Sequence, residues 1–149
     1  MTRRLGSFSP ASLLVLALTI GLAPQALRAQ AHCNNSTMRG IYIASGEGMV
    51  GTAPAFSPIA AVSLVIYSGD GTGMLVSGTR IVAGQAVTLS NVPATFTVNS
   101  DCTGSKTIGA TTYNFVITPD GSKITWIVTS AGVTMMGTGV RSSFLKPGD

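Results

Sequence analysis

Charged side chains are scarce in this sequence: they make up 9% of 149 residues, aromatic side chains make up 6%, and histidine occurs once, at His32. A single histidine excludes a histidine pair or a three-histidine zinc site within one chain. Helix signals are missing after residue 31, because Gly, Thr, Ser and Val recur every few positions and no stretch holds apolar residues at three-and-four spacing. Clusters of positive charge are missing too. Beyond His32 the cations are Arg39, Arg80, Lys106, Lys123, Arg141 and Lys146, scattered against Glu47, Asp70, Asp101, Asp120 and Asp149, a balance of about +1. Nucleic-acid binding needs a clustered basic face that displaces counterions from phosphates, and a polybasic membrane patch needs a similar cluster, so both are excluded. The Gly-rich piece Gly69-Asp70-Gly71-Thr72-Gly73 precedes no helical pattern and offers no helix N-terminus to a phosphate.

What is present begins with an apolar run of limited length. Arg3 and Arg4 form a basic start, Leu13 to Leu22 supply the run, Pro24 follows, and Ala29-Gln30-Ala31 offers a small-x-small cleavage pattern. These features read as a signal-peptide helix over residues 1–31, leaving 32–149 as one exported domain, secreted or periplasmic. The run is too short to span a bilayer comfortably, so no membrane span is expected after cleavage. Export would carry Cys33 and Cys102 into an oxidising compartment, where one disulfide is the expectation. Two free thiols, or a lipid anchor on Cys33, are the alternatives, and His32 stands where a lipoprotein wants a small residue.

Beyond the signal segment the dominant pattern is period-two alternation. Ile41 and Ile43, then Val62, Leu64 and Ile66, then Val87 and Leu89, Phe96 and Val98, Tyr113, Phe115 and Ile117, and Ile124, Trp126 and Val128 each alternate with smaller or polar residues. Such alternation in Thr- and Val-rich segments marks half-buried strands. Ser68-Gly69-Asp70-Gly71 and Thr118-Pro119-Asp120-Gly121 place Asp-Gly pairs where hairpins must turn. Val82-Ala83-Gly84-Gln85, Asn91-Val92-Pro93 and Ser130-Ala131-Gly132 are read as softer reversals. Strands are therefore expected near 40–48, 59–68, 72–82, 85–91, 94–99, 110–118, 122–130 and 132–142, with an irregular excursion over 49–58. Eight short strands joined by tight turns predict an all-β fold, an antiparallel up-and-down barrel, with a two-sheet sandwich as the alternative.

The stretch Ala94-Thr95-Phe96-Thr97-Val98-Asn99-Ser100-Asp101-Cys102-Thr103-Gly104 resembles an element of small secreted bacterial proteins of unassigned function, in which an aromatic strand runs into Asp-Cys-Thr-Gly. Cys33 ahead of Gly40-Ile41-Tyr42, the Asp120-Gly121 hairpin and the Gly137-Thr138-Gly139-Val140-Arg141 end are similar to the same pattern, with Ala94 in place of its usual Gly. The resemblance implies a secreted, disulfide-linked β protein and brings no activity. The expected architecture is also similar in strand count to the barrels of allene oxide cyclases and dirigent proteins, which carries no function with it.

Candidate site residues are few. His32 near a new N-terminus could chelate Cu(II) through amine, amide and imidazole nitrogens. Asp70 and Asp120 are absorbed by hairpins and Asp101 by its turn, which leaves Glu47 in Ser45-Gly46-Glu47-Gly48 as a lone acid or base. Arg80, within a strand, could bind an anionic head group from a barrel wall, and Tyr113 and Trp126 could line an apolar pocket. No catalytic set emerges and no cofactor is expected. The chain reads as a non-enzymatic secreted barrel that binds a small apolar molecule or another surface, or an envelope-associated protein. The alternative is a cyclase- or isomerase-like enzyme acting on a small apolar substrate, in which positioning dominates.

Overall fold

Alternation is realised as eight antiparallel strands in a computed structural model that describes residues 32–143. They are β1 (Arg39–Thr52), β2 (Ala55–Ser68), β3 (Thr72–Val82), β4 (Gln85–Val98), β5 (Thr103–Ile108), β6 (Thr111–Ile117), β7 (Lys123–Val128) and β8 (Val133–Arg141). Each strand pairs with the next, and β8 returns to β1, so the sheet is a closed up-and-down barrel and not a sandwich. Closure removes the two free edges that an open meander would expose. The signal segment expected over residues 1–31 lies outside the described residues.

Three of the expected boundaries are corrected. Residues 49–58 form no excursion; they are the tip of a long β1–β2 hairpin whose ladder runs from Arg39–Ser68 to Thr52–Ala55. Asn91-Val92-Pro93 is not a reversal. The chain passes through it as one strand, β4, with Asn91 in the left-handed region at φ 52, where asparagine is tolerated better than most residues. The strand thereby lost from the count is replaced by β5, in a stretch that the alternation does not reveal.

The barrel has two unlike ends. At one, the β2–β3, β4–β5 and β6–β7 turns carry Asp70, Asp101 and Asp120, whose carboxylates accept hydrogen bonds from both the backbone N–H and the hydroxyl of Thr72, Thr103 and Ser122. These Asx turns hold the Asp70 and Asp101 carboxyls below their ordinary pKa, chiefly through the threonine hydroxyls and then the backbone amides. The same end is closed by the chain ahead of β1. A 3-10 turn at Asn35–Thr37 is capped by Asn34, Asn35 Oδ1 accepts from Val98 N at 2.8 Å, and Met38 is fully buried. Cys33 is bonded to Cys102 of the β4–β5 turn, with Cα atoms 5.0 Å apart. This end is a floor.

Above the floor the interior is filled by large side chains. Tyr42, Tyr67 and Phe96 stack edge to face at 5.4 and 5.3 Å, and Tyr42 donates a 2.6 Å hydrogen bond to the Gly121 carbonyl. Ile117 and Ile124, each 1% exposed, complete the packing. Toward the other end the inward positions of β1, β2 and β3 change to Ala44, Ala61, Ser63 and Gly78. Small residues cannot reach across the lumen, which is left open as a cup. Its rim is uneven: β4 pairs with β5 only as far as Ala94–Ile108, and the β3–β4 hairpin continues beyond it to Val82–Gln85.

Candidate functional site

The cup has a volume of about 350 Å³, within the range of small-molecule sites. Its walls come from the inward faces of all the strands and are mainly aliphatic, with Val65 and Leu75 on one side and Val92, Ile108 and Met135 on the others. Among the described residues one buried group stands apart chemically: Lys106, at 6% exposure the only charged side chain in the core. Its place follows from the short strand β5, where Gly104, Lys106 and Ile108 share the inward face and Lys106 pairs with Phe96 and Tyr113 on the neighbouring strands.

The surroundings of Lys106 are aromatic. Its Nζ donates to Tyr67 Oη at 3.3 Å and lies 5.1, 5.4 and 5.8 Å from the ring centroids of Tyr113, Trp126 and Tyr67. Ring faces attract an ammonium, by up to about 2 kcal/mol each when desolvated. Full hydration of the ion is worth more, and no carboxylate is among the residues that line the cup. Burial accordingly pushes the Lys106 pKa down to about 7. Burial also raises the Tyr67 hydroxyl far above its ordinary range, so Tyr67 keeps its proton.

Trp126 and Tyr113 form one wall, edge to face at 5.4 Å. The Trp126 ring is seated against Gly46 of β1 and Gly137 of β8, where a Cβ at either glycine would overlap the ring. Its Nε1 is buried and has no hydrogen-bond partner among the described residues. Gly137→Ala is expected to destabilise the fold by about 1–3 kcal/mol, because the new methyl meets both the ring and the Ser45 carbonyl. Urea unfolding of the variant with its disulfide intact checks this.

The structure brings together three of the residues singled out from sequence. Tyr113 and Trp126 line the cup, and Arg80, paired with inward-facing Ala61, lines its exposed mouth. Glu47 is not with them: it pairs with exposed Ala60 and Met136 on the outer surface, beside an open groove that also contains Val62, Ile81 and Thr138. His32 is exposed at the floor end, and no cluster of metal-ligating side chains occurs among the described residues. Lys106 was not singled out. The available signal was the turn Asp101-Cys102-Thr103, which repeats the form of Asp70-Gly71-Thr72 and starts a strand in the same way.

Comparison with protein-family models, with curated proteins and with solved structures finds no match to the chain. What the cup can do therefore follows from its own geometry. It is open at one end, mainly aliphatic in its lining, and equipped at depth with the Lys106 amine among the rings of Tyr67, Tyr113 and Trp126.

Proposed function

We propose that the protein is a secreted or periplasmic β-barrel that holds a small, largely apolar molecule in its cup, with the molecule's single oxygen-bearing head group against Lys106. The observation that carries this reading is a buried lysine with no acidic partner among the described residues, at the inner end of an apolar cavity. A charge kept in such a place is costly to the fold, and a ligand head that accepts its hydrogen bonds removes part of that cost. Arg80 at the mouth favours anionic molecules on approach. The Cys33–Cys102 disulfide and the signal-like pattern of residues 1–31 support export. The described lining contains no carboxylate and no histidine, which favours holding over acid–base turnover.

Octanoate is a suitable probe, and Trp126, the sole tryptophan, is a reporter within the wall. Titration of the oxidised protein with octanoate is expected to change Trp126 emission saturably. Lys106→Met is expected to weaken binding by roughly tenfold or more, the loss of one charge-assisted hydrogen bond. An unresponsive wild-type protein, or a variant that binds octanoate as tightly as wild type, overturns the proposal.

A further inference from the structure

We infer that Lys106 captures aldehydes covalently and reversibly, its Nζ forming an imine with an apolar aldehyde seated in the cup. The inference rests on the ligand-binding reading above and names a more specific ligand class for the same site.

The geometry supplies what imine formation needs. The amine sits among the rings of Tyr67, Tyr113 and Trp126 with no carboxylate in the cup lining to hold it as an ammonium ion. A desolvated amine of this kind is the activated form of a lysine nucleophile. With the pKa near 7, roughly half of the side chain is unprotonated at neutral pH, against roughly one part in 2,500 for a solvated lysine. The groups facing it are Tyr67, Tyr113 and Trp126, with Arg80 further out at the mouth, and none of them carries negative charge at neutral pH.

The chemistry balances without an oxidant or reductant. The Nζ lone pair attacks the carbonyl carbon, a C–N bond forms, and one amine proton passes to the former carbonyl oxygen. The resulting carbinolamine loses its hydroxyl, and with it a second proton from nitrogen, as one water molecule. The Tyr67 hydroxyl, 3.3 Å from Nζ, is placed to relay these protons and is regenerated at the end. Water leaves through the open mouth, and its return hydrolyses the imine, so capture is reversible.

Octanal and sodium cyanoborohydride at pH 7 test the inference, because the reagent reduces an imine to a stable secondary amine that peptide mass mapping can locate. The expected result is an octyl adduct on Lys106 exceeding that on exposed Lys123 by about tenfold or more. Octanoate is expected to suppress the Lys106 adduct and leave the Lys123 adduct unchanged. Labelling of Lys123 equal to or above that of Lys106 overturns the inference. If Lys106 stays unlabelled while octanoate still alters Trp126 emission, imine capture fails and the binding cup stands; if neither response occurs, both fail.

Discussion

Reduction of the Cys33–Cys102 bond is expected to lower stability by about 4 kcal/mol, the chain-entropy value for a link across 69 residues. For a domain of this size that is a fall in melting temperature on the order of 15 °C. The link is concentrated where it matters structurally. It ties the segment that carries Asn35 and fully buried Met38 to the β4–β5 turn, and those residues are the floor. Without it the floor is held by a few hydrogen bonds, such as Cys33 N to Ser100 O at 3.3 Å, and by the burial of one methionine. Cys33→Ala with Cys102→Ala is expected to reproduce the effect of reductant and to leave no further response to it. Calorimetry with and without reductant decides the matter, and an unchanged melting temperature after confirmed reduction contradicts it.

Lys106→Met is expected to act in the opposite sense, stabilising the fold at pH 6 by about 1–4 kcal/mol. Methionine has a similar length and no charge to bury, and replacing buried ionic groups by apolar ones commonly gains this much. The pH dependence gives a sharper signature. The folded-state pKa of Lys106 is about 7, below its unfolded value of 10.5, because burial penalises the ammonium. Below pH 7 both states carry the proton and the cost to the fold is complete. Between pH 7 and about 10 the unfolded chain binds one proton more than the folded one, so stability climbs by up to roughly 1.4 kcal/mol per pH unit. Burial also raises the pKa of Tyr42, to about 12, and that of Tyr67. Above pH 10 the unfolded tyrosines ionise first and stability declines again. Urea unfolding between pH 7 and 10 is expected to show the rise in the wild type and a flat profile in Lys106→Met. A variant less stable at pH 6, or one that keeps the rise, contradicts the assignment of Lys106 as a buried amine with no carboxylate partner among the described residues. The expected gain in stability on losing the lysine, together with a loss of octanoate binding, is the trade-off typical of a site retained for function.

Much of this architecture is legible in the residues themselves, and the exceptions have physical causes. Alternation located most strands because one face of each is buried, and the Asp-Gly pairs located hairpins because their backbones need positive φ, as at Gly71 (φ 104) and Gly121 (φ 68). The expected and observed counts are both eight because one strand lost to the continuous β4 is balanced by β5. Asn91-Val92-Pro93 has the composition of a turn, yet β4 carries it as a local irregularity held against β3. Thr103–Ile108 has the hydrogen bonding of a strand without its usual pattern, because its inward residues are Gly104, Lys106 and Ile108. The lysine that defines the cup is thus the residue that hides the strand bearing it. Tyr113 and Trp126 were accessible as pocket candidates because each sits on the apolar side of an alternating strand, the side that faces the interior. The outward position of Glu47 and the inward parity of Arg80 depend on register, which only the closed ladder reveals.

An even number of strands returns the chain to the side from which it entered. β1 leaves the floor at Arg39 and β8 comes back to it at Arg141, so both ends of the described polypeptide depart on the face opposite the opening. A tether joined directly to the described ends, at His32 or Ser143, accordingly starts on the side away from the entrance, so an immobilised barrel is expected to keep its cup open to solutes.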